Sequence, residues 1–162
     1  MLRIVSCLLF CASLLLGQIP PIRFNAHKTT VLAAAVEKVT IQQPATGSKR
    51  VILESAYTYC SVVCTITFSV DGAAATATAL TRNQLFRSGT TTAATATAWS
   101  GSDVGAGTAI SPAYNVAAGT GQSFDLAGVV LQGDGTGKNF TVATNSITGT
   151  VQIVVTWREE AP

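Results

Sequence analysis

Thr150-Val151-Gln152-Ile153-Val154-Val155-Thr156-Trp157 alternates without a break. Val151, Ile153, Val155 and Trp157 fall on one side, and Thr150, Gln152, Val154 and Thr156 on the other. A period of two over eight residues marks a strand with one face in a core and the other towards water. Cys64-Thr-Ile-Thr-Phe-Ser-Val70 repeats the pattern, with Cys64, Ile66, Phe68 and Val70 on the apolar side. Ahead of it, residues 50–59 read as a longer strand on which Val51, Leu53, Tyr57 and Tyr59 share a face.

Further strands follow at turn-bounded intervals. Asp71-Gly72 is a strong hairpin signal and predicts that residues 73–80 return antiparallel. A second Ala/Thr tract covers residues 90–99, and residues 101–112 form a glycine-rich loop. Short strands are expected at residues 114–116, 123–126, 129–131 and 140–144, with Val39 and Ile41 in the first. Eight or nine short strands and no long helical pattern predict an all-β, two-sheet antiparallel sandwich. The Cys-Trp-Cys spacing of immunoglobulin domains is missing, so a jelly-roll-like order is favoured over an immunoglobulin-like one.

The N-terminal end reads differently. Arg3 precedes an almost wholly apolar run from Ile4 to Leu16, which Gly17 and Gln18-Ile-Pro-Pro21 stop well short of a membrane span. This pattern predicts a signal peptide over residues 1–17. Neither Cys7 nor Cys11 has the small preceding residues and full apolar run that lipid attachment needs. Residues 18–38 are expected to form an extended leader, although 31–38 also contain good helix formers. The sandwich domain is expected over residues 39–158, with Glu159 and Glu160 in a frayed end.

Removal of the signal leaves two cysteines, Cys60 and Cys64, which predict a disulfide in an oxidising compartment that fixes the register of a tight hairpin between the flanking strands. A zinc site would need more ligands than these two and the single histidine, His27, and a redox motif would need a C-x2-C opening a helix. No metal or cofactor is expected.

Charged residues make up 11% of the chain, against about 25% in ordinary domains, and the net charge is +2 with no basic stripe. That composition argues against nucleic-acid binding. It also leaves little for catalysis, since no motif links the acidic residues Glu54, Asp71, Asp103, Asp125 and Asp134. Gly133-Asp-Gly-Thr-Gly-Lys138 lacks both the glycine spacing and the Ser or Thr of a phosphate loop. Asp103 and Asp134 are lone aspartates in glycine loops, too few for a calcium site. The Ala/Thr tracts suit close packing of small side chains better than a water-ordering ladder, which needs more copies.

The expected protein is therefore a non-enzymatic, exported structural or surface protein that self-associates as a coat, fibre or matrix subunit. It would be secreted, at the cell surface or periplasmic, with no membrane segment in its mature form. Its low charge leaves sheet edges unguarded, and the leader is suited to adding a strand to a neighbour. The alternative is a monomeric secreted module whose sandwich-end loops recognise glycan or protein. Tyr57, Tyr59, Trp99 and Tyr114 are its candidate ligand aromatics.

Overall fold

Thirteen strands, and no helix, make up the regular structure of the described residues in this computed structural model. Those residues are 21–33, 36–43, 49–72, 78–85, 92–101, 107–132 and 138–161. The segment expected to be a signal peptide therefore lies outside them, as do Asp103, Asp134 and the rest of residues 133–137. In chain order the strands are β1 (Arg23–Ala33), β2 (Lys38–Gln42), β3 (Arg50–Cys60), β4 (Cys64–Val70), β5 (Thr78–Ala79), β6 (Arg82–Gln84) and β7 (Thr97–Ser100). They continue as β8 (Thr108–Ala109), β9 (Tyr114–Val116), β10 (Thr120–Asp125), β11 (Val130–Leu131), β12 (Asn139–Thr144) and β13 (Thr148–Glu160).

Two antiparallel sheets result, in a sandwich-like arrangement. Sheet A has the order β10-β3-β13-β1-β6, with β11 also on β3. Sheet B has the order β5-β7-β2-β12-β4-β8, with β9 also on β4. The alternating C-terminal segment is the centre of sheet A, where β13 lies between β3 and β1. Its inward residues Val151, Ile153, Val155 and Trp157 are fully buried, each such side chain contributing about 1.5–3 kcal/mol by leaving water. They meet Val39, Ile41, Ile66, Phe68, Phe140 and Val142 of sheet B in one core.

Residues 23–33, expected to belong to an extended leader, are extended but form β1, paired with β13 along their whole length. Phe24, Ala26 and Leu32 enter the core, and Phe24 stacks on Trp157 at 5.9 Å. The polar residues Lys28 and Thr30 at the intervening inward positions interrupt the apolar alternation, which hides this strand in the sequence.

β3 carries a bulge. Thr156 pairs with Ser55 but Trp157 pairs with Leu53, leaving Glu54 as the extra residue. The bulge inverts the pleat, so Val51 and Leu53 are buried before it and Ala56, Thr58 and Cys60 after it. Tyr57 and Tyr59 consequently point away from the core, and the face they were expected to share with Val51 and Leu53 does not exist.

Two connections also differ from expectation. Cys60 and Cys64 form the predicted disulfide, but β3 and β4 lie in different sheets, so the bond closes an arch across the sandwich. Of the return strand expected over residues 73–80, residues 73–77 lie outside the described residues, and among the described strands the neighbours of β4 are β12, β8 and β9. Asp71 takes a positive φ of 58°, and the Asn139 side chain receives a bond from Gly72 N and donates one to Gly72 O. The Ala/Thr tracts meet further on, where Thr78 and Ala79 of β5 pair with Ser100 and Trp99 of β7. Finally, Glu159 and Glu160 are the last residues of β13 rather than a frayed end.

Candidate interaction surfaces

At one side of the sandwich the aromatic residues converge. Phe124 of β10 stands edge-on to Phe68 of β4 at 5.0 Å and lies 5.0 Å from Tyr114 of β9. Phe68 also contacts Tyr114 at 5.8 Å and stacks on Phe140 at 6.0 Å. A recess of about 360 Å³ opens over this group, walled by Ile110, Leu126 and Val129 and edged by Ser111, Ser123 and Asp125. Apolar walls with a few polar groups are the usual chemistry of a small-ligand site.

A turn after β10 forms one wall of the recess. Asp125 Oδ1 accepts a bond from Ala127 N at 2.8 Å, which forms the turn that Gly128 completes with φ 101°. Leu126 N then bonds Glu54 O, and Leu53 N bonds Val129 O, so the turn satisfies the β3 backbone groups that lie between the ladders to β10 and β11.

On the other side of this turn is a group of ion pairs. Glu54 pairs with Arg23 at 3.1 Å and with Arg158 at 3.3 Å, while Glu160 pairs with Arg158 at 2.7 Å and Arg50 at 3.3 Å. Hydrogen bonding from Arg158 holds the Glu160 carboxyl below its ordinary value, and the same bond raises the Arg158 guanidinium.

The four aromatics singled out from the sequence lie in three places. Tyr57 and Tyr59 are side by side on the outer face of sheet A, where Tyr57 lies across Gly121 of β10 so closely that a Cβ there would collide with its ring. Trp99 belongs to sheet B beside Thr40, its indole N–H donating to Thr97 Oγ1 at 3.1 Å. Tyr114 alone joins the aromatic recess, whose principal residues Phe68 and Phe124 sequence reasoning missed because each reads as an ordinary core position.

The acidic side chains are committed to the fold. Glu159 is buried and accepts from Thr95 N and Ala96 N, both at 2.8 Å, with Lys49 at 3.7 Å. Glu37 is also buried and accepts from Gly101 N at 3.0 Å. Asp71 pairs with Lys138 at 3.5 Å. With Glu54, Glu160 and Asp125 already described, each described acidic residue has a structural partner. Among the described residues no cluster of three His, Cys, Asp or Glu side chains is placed to hold a metal ion, and no helix is long and apolar enough to cross a membrane.

The remaining surface is an edge. β6 covers β1 only from Phe24 to Ala26. Beyond Arg82 the chain leaves sheet A, since Leu80 N bonds Ala98 O in sheet B. Leu85 N bonds Arg23 O, which fixes the odd-numbered residues of β1 as those whose N–H and C=O face β6. His27, Thr29, Val31 and Ala33 therefore present backbone groups that no described strand pairs, and all four side chains are exposed. Val31 is 76% exposed, the largest value among the big apolar side chains of the described residues. The exposed His27 and Val31 of the supposed leader were the available sequence signal for this edge.

Comparison with protein-family models, curated proteins and solved structures finds no match for this chain.

Proposed function

We propose that the chain is a non-enzymatic, exported structural protein, a coat, fibre or matrix subunit, that self-associates by extending a β-sheet between copies. The observation carrying this reading is the edge of β1 from His27 to Ala33, which no described strand pairs. Unpaired strand edges are templates for further strands, and proteins that stay monomeric blunt them with lysine, proline or bulges. Here the exposed side chains are His27, Thr29, Val31 and Ala33, with Lys28 at an inward position. The strand proposed to reach a neighbour is thus held by its own β13, and its outer side is what it offers.

Export is supported by the apolar run from Ile4 to Leu16 and by the Cys60–Cys64 disulfide, which suits an oxidising compartment. A jelly-roll-like order belongs to the same proposal, because the disulfide closes the short arch between two consecutive strands instead of bridging strands distant in sequence beside a central tryptophan. Absence of catalysis is supported by the structural use of the described acidic residues. The test is light scattering on the exported protein across a concentration series. A mass rising to a dimer or larger is expected, and a monodisperse monomer at high concentration contradicts the proposal.

A second reading, a monomeric module binding glycan or protein, is favoured by the recess at Phe68, Tyr114 and Phe124. Glycan titration that shifts Tyr114 and Phe124 resonances while the protein stays monomeric would select it.

A further inference from the structure

Resting on self-association through β1, we infer the register of the contact: two copies pair their β1 edges antiparallel with Thr30 on the two-fold axis. In this register His27 faces Ala33 of the second copy, Lys28 faces Leu32, Thr29 faces Val31, and Thr30 faces itself.

Three observations select it. First, antiparallel ladders alternate hydrogen-bonded and non-bonded pairs, so His27, Thr29, Val31 and Ala33 must face one another. Centring on Thr30 pairs all four, giving roughly eight inter-chain bonds, whereas centring on Thr29 or Val31 leaves one residue out. Second, the β6 strand that covers Phe24 to Ala26 closes the edge at one end. The two-fold places the second copy's β6 at the other end, so the window runs from His27 to Ala33. No pairing of like charges occurs within it, because Lys28 meets Leu32. Third, Thr30 Oγ1 is buried without a hydrogen-bond partner. An orphaned buried hydroxyl is costly. In a non-bonded antiparallel pair the two Cα atoms stand about 4.5 Å apart, where facing threonines bond through their hydroxyls. The contact is isologous, so it closes as a dimer and lengthens sheet A across the axis.

Two variants of the exported protein test this. Thr29→Pro removes an N–H that faces the open edge, so the monomer fold tolerates it. It is expected to weaken dimerisation roughly a hundred-fold, about 2.8 kcal/mol at 1.4 kcal/mol per decade. Thr30→Cys adds one thiol beside the paired Cys60 and Cys64. It is expected to give a covalent dimer on air oxidation roughly ten-fold faster than Thr120→Cys on β10, because its symmetry mate lies opposite it. A dimer that survives Thr29→Pro, or in which Thr30→Cys stays uncrosslinked, overturns the register and leaves self-association standing. A wild-type monomer at every concentration overturns both.

Discussion

Cys60 ends β3 in sheet A, Cys64 begins β4 in sheet B, and the bond between them closes the arch Ser61-Val62-Val63. Both cysteines are buried, so the disulfide is part of the seam between the two layers. The loop is short, and the chain-entropy model gives about 2 kcal/mol for closing five residues. Cys60→Ala/Cys64→Ala is therefore expected to fold with the same secondary structure and to lose about that amount. Urea denaturation compares the two proteins; a variant that does not fold would mean the arch depends on the bond.

Glu159 is expected to matter more, although it stands near the end of the chain. Its two oxygens meet Thr95 N and Ala96 N, so Glu159→Ala leaves two donors without partners at a loss of about 3 kcal/mol. Glu159→Gln keeps one acceptor and should fall between that variant and wild type. Amide exchange at Thr95 and Ala96 should accelerate in the alanine variant before the rest of sheet B opens.

Glu160 supplies a pH dependence of defined sign. Its folded-state value is lowered, first by the hydrogen bond from Arg158 and further by the charges of Arg158 and Arg50. The stability it contributes is present above the ordinary carboxylate range and is lost as pH falls through the lowered folded value. Glu160→Gln is expected to be less stable than wild type at neutral pH and to converge with it in acid. High salt should reduce the neutral-pH difference, because these groups are open to screening. Parallel melts over a pH series read both effects.

The Tyr57–Gly121 contact predicts non-additivity. An alanine methyl at position 121 would collide with the Tyr57 hydroxyl oxygen and must displace the ring. Gly121→Ala should cost about 1 kcal/mol in the wild type and close to nothing in a Tyr57→Ala background. Equal effects in the two backgrounds would show that the ring does not hold its place over the glycine.

Much of the fold could be read because its strongest strand has no ambiguity. The alternation at Val151, Ile153, Val155 and Trp157 corresponds to four fully buried side chains, and Cys64, Ile66 and Phe68 behave in the same way. The errors share a physical cause, since each depends on a partner the local sequence does not contain. One extra residue, Glu54, turns Tyr57 and Tyr59 outward, and its position emerges only in the register with β13. Asp71 takes the positive φ that its place before Gly72 suggests, but the Asn139 side chain that bonds both Gly72 N and Gly72 O comes from a strand distant in sequence. β1 was hidden because Lys28 and Thr30 occupy inward positions at a sheet margin, where polar side chains are tolerated. The aromatic recess was legible in part: Tyr114 is in it, while Phe68 and Phe124 arrive from strands distant in sequence.

Concentration-dependent hydrogen exchange along β1 tests the proposed assembly most directly. In dilute protein the amides of Lys28, Thr30 and Leu32, which face β13, should be protected, and those of His27, Thr29, Val31 and Ala33 should exchange freely. On concentration the second set should become protected while the amides of β10 stay unchanged. Rapid exchange at Thr29 and Val31 at every concentration would contradict the account.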